Sequence, residues 1–484
     1  MNTTRYQVIT MGRATMIDRA LQFVTPVALV RLLDVTEFGQ YRIFWLIVMT
    51  VMALAPLGMT RSLLYFFPRI NTNEKRFYIG NTLLFLACSG LLCALLVAPW
   101  NPLITSKMAG SILGQYIIPV FVFLWIFTSL LDVLPNADMN IRWQANIMIG
   151  LSIVRLVTIL TVAVATRDIN AVFLALLAFV FVKIIVLAYY TSRHYGLLGI
   201  SCDSERFRDQ FRYSLPFGID GGLYSLRGYS EQWIVALLFK PAQYAVFSIA
   251  AYIQPLVEII RGSMSNILLP KMSKLHAGGD IESMLALNNK GNVAASTAIF
   301  PALAFLFVFA GETVQVLFTS VYQDAAPIIQ IYIIGMARLA IEITTILLVF
   351  RQGKFVMWMS AALLVLSVTS SYLGAQLYGM KGAALGSVAV LYLETFFTFR
   401  RASALTNVPV SRLQDWKSIA VILFASCLAA LIASVLANMV IQTGVPYYRL
   451  LVGAMIFSAI YILLLIMLGY GWMLHAYLGR AKWR

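Results

Sequence analysis

Charged and polar side chains recur inside stretches of this sequence that are otherwise apolar. Between residues 9 and 31, Thr15, Asp18, Arg19, Gln22 and Thr25 fall at helical spacing on one face, and Arg13 precedes them. Between 215 and 238, Asp220, Tyr224, Arg227 and Glu231 follow one another at i, i+4, i+7 and i+11. The stretch 244–262 adds Gln254, Glu258 and Arg261, the stretch 326–350 adds Arg338, Glu342 and Thr345, and single charges stand at Arg61, Arg155 and Lys183. In hydrocarbon each such charge costs about 2.5–3.5 kcal/mol on insertion scales, so each needs a partner or a water-filled cavity. Arg227 with Glu231 and Arg338 with Glu342 have the spacing of i, i+4 ion pairs. Arg13, Arg19, Arg61 and Arg155 have only Asp18 to answer them among the acids assigned to buried positions of their helices. Surplus guanidinium in a cavity suits phosphate, which arginine binds bidentately while staying charged at any relevant pH. The candidate anion-binding set is therefore Arg13, Arg19, Arg61, Arg155, Arg227 and Arg338. Asp18, Asp220, Glu231 and Glu258 are candidates to carry a proton or sodium ion, and serve equally well as salt-bridge partners.

The elements that position these groups follow from composition. Of 484 residues, 61% are hydrophobic and 12% charged, with a mean hydropathy of +0.83, more apolar surface than a water-soluble fold can hide. Apolar runs of about 18–25 residues cross a bilayer as helices, and no segment alternates as a barrel strand would. The expected fold is all-α, a polytopic membrane protein of about fourteen transmembrane helices near 9–31, 42–66, 78–98, 115–135, 145–166, 171–192, 215–238, 244–262, 291–310, 326–350, 355–377, 382–399, 416–437 and 448–470. The charged N-terminal stretch reads as a retained first helix rather than a cleaved leader.

Lys and Arg gather in alternate loops with a bias of about three to one, which places both termini in the cytoplasm and accounts for the net charge of +16 without nucleic acid. An internal repeat organises the helices. Gly39-Gln40-Tyr41-Arg42-Ile43-Phe44 is matched by Ala242-Gln243-Tyr244-Ala245-Val246-Phe247, and Phe67-Pro68-Arg69-Ile70 by Leu269-Pro270-Lys271-Met272, both at an offset of about 200 residues. Lobes with an even helix count repeat in parallel. The expected domains are a six-helix lobe at 1–192, a cytoplasmic connector at 193–214, a second six-helix lobe at 215–400, and two further helices with a tail at 401–484.

Several chemistries are not indicated. Cys88, Cys93, Cys202 and Cys427 form no CxxC pair, and His194, His276 and His475 are scattered, so no metal site is expected. Walker-type, HExxH and GxSxG signatures are absent, so no catalytic residues and no cofactors are expected. The longest outer connection, near 99–114, offers one lysine and no acid, poor material for a membrane glycan polymerase or ligase.

Leu33-Asp34-Val35-Thr36-Glu37-Phe38-Gly39-Gln40-Tyr41 resembles the polysaccharide biosynthesis transporters, the lipid-linked oligosaccharide flippases (O-antigen flippase-like) of the multidrug, oligosaccharidyl-lipid and polysaccharide exporter superfamily. Tyr213-Ser214-Leu215-Pro216-Phe217-Gly218, Leu269-Pro270-Lys271-Met272-Ser273 and Gly379-Met380-Lys381-Gly382-Ala383-Ala384 resemble it too. The resemblance runs to about residue 400. It implies a transporter rather than an enzyme, moving a polyprenyl-pyrophosphate-linked oligosaccharide, a repeat unit of O-antigen, capsule or exopolysaccharide, across the cell inner membrane by alternating access, driven by an ion gradient or passively. It also implies a phosphate-binding cavity near Arg13, Arg19, Arg61 and Arg227. The partners implied are the lipid-linked substrate, membrane lipids and the polysaccharide assembly machinery of polymerase and chain-length regulator, with the chain itself a monomer. The alternatives are a peptidoglycan lipid-precursor flippase and a multidrug exporter of the same superfamily.

Overall fold

The computed structural model describes residues 2–196, 201–252, 261, 268–441 and 445–469, with side chains described from residue 10 onward except at Thr72. Its described residues are helical throughout apart from turns and short connections. The chain divides into two compact units, Met1–Ala245 and Val246–Arg484.

The first unit holds α1 (Asn2–Leu32), α2 (Val35–Leu54), α3 (Met59–Phe66), α4 (Thr72–Leu96), α5 (Pro102–Lys107), α6 (Ile112–Thr128), α7 (Leu134–Ala137), α8 (Ile141–Thr166), α9 (Ile169–Tyr195), α10 (Ser204–Leu238) and the start of α11 (Pro241–Ala250). Capping boxes open α2 at Asp34 and Glu37 and α4 at Asn71 and Glu74. Helix α1 packs along α8, α4 along α6, and α9 along both α6 and α8. Their shared core is aromatic: Phe44 meets Phe121 and Phe173 at 4.8 and 5.0 Å between ring centroids, and Trp45 meets Trp125 at 5.5 Å.

The apolar run predicted as one helix over 42–66 is broken. Helices α2 and α3 meet at 45° across Ala55–Gly58, where Leu57 and Gly58 both have positive φ, 41° and 76°. The break is seated on α10. A Cβ on Gly218 would lie 2.3 Å from the Leu57 carbonyl carbon, and one on Gly58 would lie 2.8 Å from the Ser214 oxygen. Gln210, fully buried, donates from Nε2 to Ser62 Oγ and Thr82 Oγ1, each at 2.9 Å, and so fastens α10 to α3 and α4. At the other end of α10, Lys107 Nζ donates to the Leu237 and Phe239 carbonyls at 2.9 and 3.0 Å. That is a cation on the C-terminus of a helix, and partial burial draws the lysine below its ordinary pKa. Beside it a cavity of about 100 Å³ is lined by Ile47, Thr50, Leu103, Trp233 and Leu237.

The repeat assigns 215–238 to the second lobe, whereas compactness draws the line at Ala245, because α10 lies along α2 and α3. The predicted connector 193–214 is partly helix, since α10 begins at Ser204 with Asp203 as its N-cap. Gly39, which opens the first copy of the repeated motif, and Pro241, just before the second, touch so closely that a Cβ on Gly39 would lie 2.0 Å from the Pro241 oxygen.

The second unit holds the rest of α11, α12 (268–277), α13 (Ile281–Val308), α14 (Ala310–Phe318), α15 (Ala325–Ala337), α16 (Thr344–Val349), α17 (Gly353–Thr406), α18 (Trp416–Val440) and α19 (Pro446–Met467). The predicted helix 244–262 runs past the described residues. The predicted 326–350 is interrupted by a 3-10 turn, Arg338–Ala340, and an extended Ile341. The 54 residues of α17 are a hairpin. Tyr378 and Gly379 leave helical geometry, and Gly379, at φ 62° and ψ −147°, sits close to a region open only to glycine. The legs then touch along Gly374 and Gly382, whose Cβ atoms would lie 2.2 and 1.9 Å from each other's carbonyl oxygens, and Ser370 Oγ donates to the Gly386 oxygen. Ala429, Ala433 and Ala437 of α18 are fully buried where α18 meets α13 and α19, and Tyr461 of α19 donates its hydroxyl to the Thr297 carbonyl.

Length and apolarity alone pick out eight spanning helices among the described residues, or nine with α2 and α3 taken as one span. The difference from fourteen has physical sources: α17 counts once though it holds two legs, the predicted helix 244–262 runs past the described residues, the segment Ala325–Ala340 is short, and α1 and α10 are dense in charge.

Gly218→Val should lower the stability of the purified protein by about 1–3 kcal/mol through overpacking against the α2–α3 break. Gly221→Val, with no atom within 4 Å of its Cβ, serves as the control, and thermal unfolding in detergent measures both.

Candidate functional site: charged groups of the spanning helices

Helix α1 turns Ala14, Asp18 and Thr25 toward the packed interior. Asp18 is held from three sides: Arg155 of α8 approaches to 3.8 Å, Ser152 donates to the same oxygen, and Gln22 donates to the other at 2.8 Å. The side chains of Arg155 and Asp18 are only 14% and 16% exposed, so the pair is largely shielded from solvent. Arg155, expected among the surplus guanidinium groups, has its acid across the α1–α8 contact.

Arg13 and Arg19 of α1 and Arg61 of α3 are exposed. Among the described residues none of the three has a hydrogen bond or an ion pair.

Helix α10 carries a continuous stripe. Tyr213, Phe217, Asp220, Tyr224, Arg227 and Glu231 succeed one another at steps of four and three residues, so they share one face. Phe217 and Tyr224 are 66% and 57% exposed, Asp220 is exposed, and the Arg227 guanidinium lies 5.6 Å from the Tyr224 ring. Tyr65 of α3 extends the stripe sideways. Its ring stacks on Tyr213 at 4.3 Å and carries the Arg69 guanidinium at 3.7 Å, and Tyr213 meets Phe217 at 5.4 Å. Asp220 makes no hydrogen bond or ion pair among the described residues, while Glu231 is half-buried and engaged. Gln254 and Glu258 lie outside the described residues.

In the second unit the expected Arg338–Glu342 pair is replaced. Arg338 reaches Glu394 of α17 at 3.4 Å, and Glu342 is paired with Arg261. The reason is the break: with a 3-10 turn at Arg338 and extended backbone at Ile341, residues four apart no longer share a face. The interrupted backbone is satisfied by side chains. Asn292 both accepts from the Glu342 amide and donates to its carbonyl, each at 3.0 Å, Asn288 donates to the same carbonyl, and Glu342 accepts from the Thr345 amide.

Two acids went unassigned at the level of sequence. Asp132 lies within the predicted helix 115–135 and binds Lys183 at 2.9 Å, with the ammonium 4.7 Å from the Trp125 ring. Asp138 gathers Lys75 at 3.1 Å and the hydroxyls of Tyr190 and Tyr195. Both acids sit where α6 gives way to α7 and the turn after it, and that apolar region's two acids six residues apart were the available signal. These pairs leave Lys183 internally neutralised and unsuited to an anion.

A protein-family model described as polysaccharide biosynthesis protein matches residues 28–327, more than half of the chain. Among solved structures, a lipid II flippase MurJ in an inward closed conformation matches with a TM-score of 0.72 at 14% identity, over 95% of this chain and 99% of that one. An inward-facing multidrug resistance MATE family transporter of the MOP superfamily matches with 0.65 at 12% identity, over 83% and 99%. A MOP superfamily transporter from Pyrococcus furiosus matches with 0.53 at 14% identity, over 82% and 96%. At such identities the likeness is one of fold. No curated protein matches the chain.

Because a shielded charge without its partner is costly, Asp18→Ala or Arg155→Ala alone should destabilise by about 3 kcal/mol, and Asp18→Leu combined with Arg155→Met should recover most of the loss. Thermal unfolding of the three purified variants decides it; a double variant as unstable as the singles would show the two groups to be uncoupled.

Proposed function

This chain belongs to the polysaccharide biosynthesis protein family, and we propose that it is a flippase for a polyprenyl-pyrophosphate-linked oligosaccharide, a surface-polysaccharide repeat unit, in the cell inner membrane with both termini cytoplasmic. The observation that carries this reading is the set of three exposed arginines on α1 and α3, Arg13, Arg19 and Arg61, which make no ion pair among the described residues. A guanidinium group without a counter-charge is expensive inside a membrane unless water or an anion reaches it. A pyrophosphate group supplies that anion in the form arginine binds best, through paired N–H donors. Arg227, on the α10 stripe, is the next group a bound pyrophosphate would meet; Arg155 and Arg338, each close to an acid, act by holding helices together.

The multidrug exporter reading is disfavoured by the same surplus, since a cationic drug would be repelled. A peptidoglycan lipid-precursor flippase is the second reading. It would handle the same pyrophosphate and the same kind of lipid, and the similarity to a lipid II flippase over 95% of the chain favours it at the level of fold. A glycan polymerase or ligase would need acid and base groups beyond the membrane, and the outer connection near 99–114 holds no acid. Transport proceeds by alternating access in a monomer. Of the four carboxylates considered for ion coupling, Asp220 is the best placed, being exposed and without a partner among the described residues, whereas Asp18 is already neutralised by Arg155.

Alanine at Arg13, Arg19 and Arg61 in turn, expressed in a strain lacking its own flippase and matched for protein level, should reduce surface-glycan export for at least two of the three. Full export in all three variants would sink the reading. In proteoliposomes, transport by the Asp220→Asn variant should no longer rise when a proton or sodium gradient is imposed; a rise equal to that of the unaltered protein would remove Asp220 from coupling.

A further inference from the structure

The arginines account for phosphate and leave the sugars without a surface. The aromatic residues of α10 supply one. Tyr213, Phe217 and Tyr224 lie on the same face as Asp220, Arg227 and Glu231, and the stripe from Tyr213 to Glu231 is about 27 Å long at 1.5 Å per residue. Aromatic residues near a membrane interface are ordinarily a lipid-facing belt. A belt, however, is confined to the headgroup layer, whereas this stripe continues along the helix and sets Asp220, exposed and without a partner among the described residues, between Phe217 and Tyr224, a charge that lipid would reject. The face therefore meets water, and two of its rings, Phe217 and Tyr224, are more than half exposed there.

Water is a poor neighbour for a phenyl ring, so such rings stay exposed at a cost that a ligand can relieve. A pyranose has one face of C–H groups carrying slight positive charge, which stacks on the negative face of an aromatic ring, while its hydroxyls reach charged or hydroxyl-bearing neighbours. Tyr65, held at 4.3 Å in a stack with Tyr213, widens the platform, and Arg61 on the same short helix α3 brings the phosphate-binding chemistry close to it in sequence. We infer that the exposed face of α10 bearing Tyr213, Phe217 and Tyr224, extended by Tyr65, is a stacking surface for the sugar residues of the lipid-linked substrate. This rests on the flippase reading for the identity of the substrate, and it adds the part of the protein that recognises the glycan.

The test separates sugar from pyrophosphate. The purified full-length chain in detergent is titrated with farnesyl pyrophosphate and with N-acetylglucosaminyl-pyrophosphoryl farnesol, and binding is read by calorimetry. The sugar-bearing probe should bind about tenfold more tightly, as expected for one or two ring contacts. In the Phe217→Ala, Tyr224→Ala double variant that advantage should vanish while farnesyl pyrophosphate affinity stays within about twofold. Both side chains are more than half exposed, so their loss opens no core cavity, and the Phe217→Trp, Tyr224→Phe variant should keep the advantage. An advantage that survives the double alanine variant, or none in the unaltered protein, overturns the stacking surface and leaves the phosphate reading standing. Failure of farnesyl pyrophosphate to bind while the sugar-bearing probe still binds overturns the phosphate reading and leaves the stacking surface standing. Failure of both probes to bind overturns both.

Discussion

Inside hydrocarbon no polar group can be left to solvent, and that constraint decides where this chain is regular and where it breaks. Helix satisfies its own backbone, so most of the sequence is helix. Each interruption must be answered by side chains or by close backbone packing. The break at Leu57–Gly58 is answered by α10, whose Gly218 lets two backbones touch. The break around Ile341 is answered by Asn288 and Asn292, which take over the amide and carbonyl of Glu342. Charges obey the same constraint. Asp18 has Arg155, Asp132 has Lys183, Glu342 has Arg261 and Glu394 has Arg338.

Against that background of neutralised charge, Arg13, Arg19 and Arg61 stand out, and so does the exposed Asp220. Groups that pin helices together and groups that await a ligand cannot be told apart by residue type. They are told apart by what lies opposite them. Arg155 and Arg19 both look like surplus cations in the sequence, yet one meets an acid across a helix contact and the other meets none among the described residues.

The helices were legible because apolar length is the property the membrane selects, and the sequence displays it directly. Their ends were less so: apolarity marks the edge of the bilayer while helix can continue beyond it, as α10 does from Ser204 and α4 from Thr72. The break after α2 had a signal in Pro56-Leu57-Gly58 that the surrounding apolar residues masked, and the break at Ile341 had none, since no glycine or proline marks it. Of the stripe on α10, Asp220, Tyr224, Arg227 and Glu231 were legible from spacing, whereas Tyr213, Phe217 and the neighbouring Tyr65 were not. Nor were pairings between helices. Arg338 and Glu342 have the spacing of a pair, but spacing holds only while the helix is unbroken, and Arg155 finds Asp18 more than a hundred residues away. Long-range pairing depends on which helices become neighbours, and no local pattern states that.

The hairpin in α17 bears on how the chain enters the membrane in the first place. Its legs are joined through only Tyr378 and Gly379, and they carry glycines and a serine where they face each other. Two such helices can pair with each other as soon as both have left the ribosome, so the hairpin is suited to insertion as one piece. Its turn carries only Lys381, whereas Arg351 and Lys354 stand at the start of the first leg and Arg400 and Arg401 at the end of the second, so basic residues at both open ends bear on the orientation of the pair. Biogenesis of this region is then a single commitment, made by the two legs together, with basic residues at the open ends of the hairpin.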